Sequence, residues 1–256
     1  MRIKTPLRRL SVLMGGMLVL AGCASQPEQN TKLKDPIYLY QMGVAQFNQG
    51  HFNEAEKYFQ DSIHYNAANP SVWNSLGLAY LLSGRLAEAR QSFEKTVQIQ
   101  PSFADAHNNL GVTFLQQGEL AAAEREFNLA KQDTVYSQLA SLWLNLGLVA
   151  MRKGADGEAT AYFGEAISRN KEYALAYLNR AKAYMKQDHG DEAVTDLRRY
   201  LELRPDDPEG LYELGRLLAS RRETAEARKL LEKVWLVAPS STWGADAKKL
   251  LDLMIR

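Results

Sequence analysis

The side chain best suited to covalent chemistry is the thiol of Cys23, the single cysteine among 256 residues. Arg2, Lys4, Arg8 and Arg9 precede an apolar run at 10–20, and this order of charge and hydropathy is typical of a secretory signal peptide. The run is too short for a permanent transmembrane helix, which needs about 20 apolar residues. Cleavage directly before Cys23 would create an N-terminal cysteine whose thiol can be alkylated.

The residues around this cysteine, Leu20-Ala21-Gly22-Cys23, resemble the lipobox of bacterial lipoproteins. The resemblance implies three acyl chains on Cys23, which exceed the two signals needed for stable membrane anchoring. Ala24 stands where lipoproteins kept in the inner membrane often carry Asp, so we expect the periplasmic face of the outer membrane. The alternatives are an ordinary signal peptide with an incidental cysteine, or a buried structural cysteine.

The four histidines could bind a metal ion or transfer protons, but their spacing supports neither role. His51, His64, His107 and His189 form no His-x-x-x-His or Glu-x-x-His arrangement, although zinc sites need closely spaced ligands. The glycines form no phosphate-binding loop or nucleophile elbow. The formal net charge of +1 argues against nucleic-acid binding. We expect no enzyme activity, cofactor, metal, nucleic acid or small-molecule substrate.

Residues 70–101 contain two amphipathic helical segments, separated by Ser83-Gly84 and ended by Pro101. Their diagnostic residues are Trp73, Leu76, Gly77, Tyr80, Ala89 and Phe93. The small residues suit a close helix crossing, and the large residues fill the space between the helices. The pattern resembles the tetratricopeptide repeat (TPR), W-x2-L-G-x2-Y…A-x3-F…P, which has a period of 34 residues.

The same pattern recurs along most of the chain. Its glycine place is taken by Gly43, Gly77, Gly111, Gly147, Ala181 and Gly215, at intervals of 34, 34, 36, 34 and 34. We predict an all-α, right-handed TPR superhelix of six helix-turn-helix repeats plus a C-terminal capping helix, because single repeats cannot bury their own apolar faces. The predicted divisions are a signal peptide (1–22), a lipidated cysteine and flexible tether (23–35), repeats at 36–69, 70–103, 104–139, 140–173, 174–207 and 208–239, and a cap (240–256).

The two ends of this solenoid have different compositions. Residues 24–35 are polar and aperiodic, so we expect a tether that reaches at most about 40 Å. The cap is predicted from Ala247, Leu250, Leu251 and Met254, which share one helical face. An incomplete seventh repeat would explain the same face.

The 36-residue interval contains the segment Ala130-Lys131-Gln132-Asp133-Thr134-Val135-Tyr136. It resembles the A-x-Q-D-T-x-Y segment between the third and fourth repeats of the type IV pilus pilotin lipoproteins. Leu142–Val149, the lipobox, the length and the six repeats also resemble that family. The resemblance implies an outer-membrane scaffold that binds secretin subunits and promotes their localisation or assembly. The alternative is a generic periplasmic TPR lipoprotein with an accidental insertion.

A second stripe of residues lies on another face of each repeat's first helix, at offsets 2, 5, 9 and 12. In TPR proteins this face lines the concave groove. The predicted groove residues are Ile37, Tyr40, Val44, Phe47, Asn74, Leu78, Leu81, Asn108, Val112, Leu115, Leu148 and Met151. Such an apolar groove suits an amphipathic or extended apolar peptide. The alternative is that these residues contact one another in a tight superhelix.

Two features qualify this groove. Asn74, Asn108 and Asn145 could hydrogen-bond the backbone of a bound peptide without reading its sequence. Repeats five and six turn more polar, with Lys182, Lys186, Glu209 and Arg216. The resemblance to the pilotin lipoproteins implies that this groove belongs to a secretin-binding scaffold. Its rivals are an adaptor for cell-wall hydrolases or outer-membrane assembly factors, and a non-catalytic accessory subunit of an enzyme complex.

Overall fold

The computed structural model describes residues 34–133 and 137–254, and these residues form thirteen α-helices and no β-strand. The signal peptide, Cys23, the tether up to residue 33, Thr134-Val135-Tyr136 and the last two residues lie outside the described residues. The helices are α1 (Pro36–Asn48), α2 (Phe52–Tyr65), α3 (Pro70–Leu82), α4 (Leu86–Ile99), α5 (Ala104–Gln117), α6 (Leu120–Ala130), α7 (Leu139–Arg152), α8 (Asp156–Arg169), α9 (Ala174–Lys186), α10 (Gly190–Leu203), α11 (Pro208–Ser220), α12 (Thr224–Val237) and α13 (Thr242–Met254).

The first twelve helices pack as six successive pairs, from α1 with α2 to α11 with α12, and each pair packs on the next. The centre of each of the first four pairs is a completely buried phenylalanine: Phe59, Phe93, Phe127 and Phe163. Leu197 and Leu231 take this place in the last two pairs. The all-helical repeat solenoid that the sequence predicts is confirmed.

Glycine is required where the two helices cross in each of the first four pairs. A Cβ atom added to Gly77 would lie 2.6 Å from Cε1 of Phe93, and one added to Gly111 would lie 2.5 Å from Cε1 of Phe127. Both distances are shorter than real Cβ contacts allow. In the fifth pair the crossing residue is Ala181, and the side chain at the phenylalanine place is the smaller Leu197. The spacing of glycine and phenylalanine therefore encodes the close crossing.

The turn inside each pair contains one residue in the left-handed region. Glycine occupies this place in the first four pairs, as in Gly50 with φ of 79°, and glycine adopts such angles without steric cost. In the last two pairs the residues are Asp188 with φ of 59° and Arg222 with φ of 65°. The turn geometry is therefore kept even where the sequence no longer carries glycine.

Three first helices begin with a side-chain cap followed by proline. Asp35 accepts a hydrogen bond from the Ile37 amide at 2.9 Å, and Asn69 accepts one from the Ser71 amide at 3.0 Å. Asp207 caps α11 in the same way. Such caps satisfy backbone donors that a helix start leaves free, and proline fits the first helical position because it has no amide hydrogen.

The last helix, α13, covers the exposed side of the sixth pair. It packs against α11 and α12. Ala247 is completely buried, and Leu250, Leu251 and Met254 pack beside it against Leu211. The capping helix that the sequence predicts is therefore present, because its apolar face replaces the contacts that a further repeat would provide.

Gly111→Leu should destabilise the protein strongly. The new side chain must displace the buried Phe127 ring, and overpacking of this kind costs about 1–3 kcal/mol or more. Urea unfolding of the variant and the parent gives the difference in free energy of unfolding. Gln116→Leu is the matched control, because Gln116 lies on the same helix and is exposed. Equal losses for the two variants would contradict the assigned crossing.

Candidate functional site

The first helices of pairs one to four present a continuous set of partly exposed apolar side chains. We call this set the apolar stripe: Tyr40, Val44, Phe47, Leu78, Leu81, Val112, Leu148 and Met151. Each side chain packs on one side against the buried core and leaves part of its surface to solvent. Packing in the solenoid therefore fixes the positions of these side chains, while a partner could still cover the remaining surface.

Three predicted groove residues are buried instead. Leu115 is 6% exposed and belongs to the core, which corrects its assignment to the groove. Asn74 and Asn108 are 9% and 6% exposed. In contrast, Ile37 at the start of α1 is 64% exposed. The burial of the predicted groove residues therefore varies from repeat to repeat.

The buried asparagines connect neighbouring first helices. Asn109 Nδ2 donates to Asn74 Oδ1 at 3.1 Å, which joins α5 to α3. Asn145 Nδ2 donates to Asn108 Oδ1 at 3.2 Å, which joins α7 to α5. The sequence predicted that Asn74, Asn108 and Asn145 could hydrogen-bond a peptide backbone, but in the structure Asn74 pairs with Asn109 and Asn108 pairs with Asn145. These pairs stabilise the spacing of the helices that carry the apolar stripe.

A cavity of about 770 Å³ lies farther along, where α9 and α11 face each other. Its apolar lining is Met151, Met185 and Leu217. Its charged lining includes the cations Lys182, Lys186, Arg216 and Arg221. Methionine side chains adapt to different shapes, so this lining can accept more than one apolar group. The sequence identified the polar change in these repeats but missed Met185, although it lies at offset 12 of its repeat.

The cations of this cavity pair with carboxylates of the same chain. Lys182 pairs with Glu209, and Lys186 Nζ lies 3.3 Å from Asp156 Oδ1. Arg216 Nη2 lies 2.7 Å from Glu213 Oε2. The carboxylates of these pairs are 13–31% exposed, so the charge of each cation is already balanced within the chain.

His107 takes the tryptophan place of the third repeat and is buried, with 7% exposed. Its Nδ1 lies 2.9 Å from Glu126 Oε2, and its Nε2 lies 2.8 Å from the Pro101 carbonyl oxygen. The hydrogen bond to Glu126 raises the pKa of His107, against the opposing effect of burial. Burial alone would raise the pKa of Glu126, but His107 and Arg125 lower it. The imidazolium form is therefore stabilised inside the fold.

Stability should depend on pH through His107. A histidine with a raised folded-state pKa contributes stability below its unfolded pKa and loses this contribution as pH rises through the folded value. The melting temperature of the parent should therefore exceed that of His107→Gln most clearly below pH 6.5, and the difference should narrow above it. His64→Gln is the control, because His64 is exposed. A pH-independent difference for His107→Gln would refute this assignment.

Trp143 marks the irregular joint before α7. In other repeats the polar atom at this place donates to the carbonyl oxygen six residues earlier, as Trp73 Nε1 does to Ala67 at 2.9 Å and Tyr177 to Lys171 at 3.2 Å. Trp143 Nε1 is buried and finds no acceptor among the described residues, although Lys131 Nζ lies 5.1 Å from the ring centroid. Among the described residues, the side-chain hydrogen bond that Trp73 and Tyr177 make at the start of their helices is therefore missing at α7.

Residues 34–133 and 137–254 contain no group of three or more His, Cys, Asp or Glu side chains that could hold a metal ion. Among the same residues, no helix has both the length and the apolar content needed to cross a membrane. The surfaces on which a functional argument can rest are thus the apolar stripe and the cavity beside it.

Models of the tetratricopeptide repeat match residues 40–102, 80–142, 140–173 and 178–241. Together they cover most of the described helices. The chain belongs to the tetratricopeptide repeat family. This fold is typical of protein–protein interaction scaffolds, and its stacked helices explain why the apolar stripe spans several repeats.

Solved structures share this TPR fold at low sequence identity. The PilF protein of Pseudomonas aeruginosa superposes with a TM-score of 0.76 and 17% identity, covering 87% of this chain and 99% of that one. PilW, a widely conserved type IV pilus biogenesis factor, gives 0.77 and 17%, with 82% and 97% covered. YrrB, a TPR protein with an unusual peptide-binding site, gives 0.59 and 19%, with 75% and 97% covered.

Proposed function

We propose that this TPR protein is a lipid-anchored scaffold at the periplasmic face of the outer membrane, where it binds secretin subunits during type IV pilus biogenesis. The observation that carries the proposal is the apolar stripe, which leaves apolar surface open on four consecutive first helices. A surface that contacts only water is not expected to carry a continuous set of exposed apolar side chains. The scaffold acts by binding alone, without catalysis.

The stripe suits an apolar partner segment that must be protected before assembly. Val44, Leu78, Val112 and Leu148 occupy the same place in successive repeats, so they form one row across the stacked helices. Covering apolar surface is worth about 25 cal/mol per Å², and several half-covered side chains together can hold a segment. The asparagine pairs keep the row in register, because they fix the distance between neighbouring first helices.

Two further points support the choice of partner. PilF and PilW are matched over nearly their full lengths, so the number of helix pairs is similar as well as the repeat. The segment 130–136 and the lipobox resemble the pilotin lipoproteins at places that the TPR pattern does not dictate.

The anchor would keep the scaffold close to its place of action. A lipid on Cys23 and a tether ending before α1 would hold the body within about 40 Å of the membrane. Binding would then occur where an outer-membrane subunit arrives. Lipid anchoring also raises the local concentration of the scaffold, so modest affinity for the segment suffices.

Co-purification from outer membranes tests the proposal. The full-length protein, cross-linked in cells and extracted with detergent, should retain secretin subunits, and cells without the protein should lose assembled secretin and surface pili. Recovery of cell-wall hydrolases in place of secretin would favour the adaptor alternative. Normal secretin assembly in cells that lack the protein would contradict the proposal.

A further inference from the structure

The apolar stripe lies entirely on α-helices. Its side chains come from α1, α3, α5 and α7, and residues 34–133 and 137–254 contain no β-strand. Backbone groups in the body of an α-helix bond within that helix. A segment that binds in an extended conformation by adding a strand to a sheet gains its affinity from main-chain hydrogen bonds to an open strand edge. The stripe offers no such edge.

The polar side chains beside the stripe are also engaged within the chain. Ser75 Oγ donates to the Tyr40 hydroxyl at 3.5 Å, which joins α3 to α1. The two asparagine pairs join α5 to α3 and α7 to α5, and Asn74 and Asn108 are only 9% and 6% exposed. Little hydrogen-bonding capacity is therefore left among these side chains for the backbone of a bound segment.

This arrangement distinguishes between the two conformations of a bound segment. Each residue other than proline carries one backbone donor and one acceptor. In an extended segment on the stripe, the groups facing the protein would lose water without gaining partners, and a buried unpaired group costs free energy. An α-helix pairs its own backbone groups and presents only side chains to the stripe. The stripe therefore favours a helical occupant.

The row formed by Val44, Leu78, Val112 and Leu148 sets the length of this occupant. The row crosses four first helices. Packed helices lie about 8–10 Å apart, so the row spans about 24–30 Å. A helix rises 1.5 Å per residue, and about 16–20 residues cover this distance. Apolar residues at i, i+3, i+4 and i+7 would form its face toward the stripe.

We propose that the apolar stripe binds an amphipathic α-helix of the partner, which lies across α1, α3, α5 and α7 with its apolar face on the stripe. This inference rests on the proposed binding of a partner segment by the stripe, and it specifies the conformation of that segment. The helix ends before α9, because the row continues there as Lys182 and Arg216. Both cations are paired with carboxylates of the same chain.

Three synthetic peptides provide the probe. They share one sequence of about 18 residues, with leucines at helical spacing and uncharged polar residues on the other face. The first peptide is linear, the second carries a hydrocarbon staple on its polar face that locks the helix, and the third has a proline at its central polar position. Fluorescence anisotropy with the full-length protein in detergent measures the three affinities.

The stapled peptide should bind about tenfold tighter than the linear one, because it no longer loses conformational entropy on binding. The proline peptide should bind at least tenfold weaker than the linear one, because proline breaks the helix interior. An extended bound state gives the opposite order for the staple, since the locked helix could not adopt it.

Variants locate the binding on the stripe. Leu78→Glu and Val112→Glu should each weaken binding of the stapled peptide at least tenfold, because both side chains are partly exposed members of the stripe. Gln98→Glu is the matched control, because Gln98 is exposed on α4, and it should leave the affinity unchanged. Thermal melts show which variants are folded, and the comparison of the three peptides uses the parent protein alone.

The outcomes separate this inference from the proposed function. A staple that weakens or does not change binding, a proline peptide that binds as well as the linear one, or no binding of the stapled peptide would overturn the helical occupant. If secretin is nevertheless recovered in the co-purification, the proposed function stands and the partner segment is not a helix. A preference for the stapled peptide without recovery of secretin would keep the helical occupant and reject the proposed partner.

Discussion

Leu78→Glu should abolish the capture of secretin subunits while the protein stays folded. Leu78 is partly exposed at the centre of the apolar stripe, so the new carboxylate can reach solvent in the free protein. In a complex the same carboxylate would be buried without a partner, and the lost apolar contact alone is worth about 1.5–3 kcal/mol. Affinity should therefore fall well over tenfold. Leu81→Glu should behave in the same way.

A thermal melt beside a binding titration checks this prediction. Gln98→Glu is the surface control, because Gln98 is exposed on α4, and it should change neither quantity. Phe93→Ala is the core control, because it removes a completely buried ring at a cost of about 3–5 kcal/mol. Unfolding of Leu78→Glu would assign the stripe to internal packing. If Leu78→Glu stays folded and still binds secretin subunits, the binding site lies elsewhere on the protein.

Cys23→Ser should remove the protein from the outer membrane. The serine hydroxyl is not the thiol that lipidation requires, so incorporation of labelled fatty acid should be lost. The melting temperature should not change, because the first described helix begins at Pro36. Metabolic labelling and membrane fractionation measure the two effects.

Ser25→Ala serves as the control for the lipid anchor, because it changes a neighbouring residue without touching the thiol. This variant should still be labelled and fractionate with outer membrane. If Cys23→Ser also kept its label and its location, the lipoprotein interpretation would fail, and an ordinary exported TPR protein would remain.

The sequence alone determined the helical architecture. Gly77 with Phe93 and Gly111 with Phe127 recur at a fixed spacing, and in the structure the rings lie against those glycines. The reason is that a helix crossing depends on residues in one pair of adjacent helices, whose separation along the chain is constant. The capping helix could be predicted from Ala247 and Met254 because residues spaced seven apart lie on the same face of one helix, and this depends only on nearby sequence.

The sequence could not determine how deeply each groove residue is buried. Leu78 and Leu115 are both leucines of the predicted groove, yet Leu78 is partly exposed and Leu115 is in the core. Burial depends on how whole helix pairs stack on one another, which the repeat pattern does not specify.

Contacts between distant side chains were likewise decided only by the tertiary structure. His107 takes the tryptophan place of its repeat, and its partner Glu126 comes from the second helix of the pair. Asn145 and Asn108 are hydrogen-bonded because the third and fourth repeats stack on each other. Stacking of the fifth and sixth repeats likewise brings Lys182 and Arg216 to the same cavity. Periodicity fixes which face of a helix a residue occupies. The stacking of the helices decides which side chain of the neighbouring helix contacts that residue.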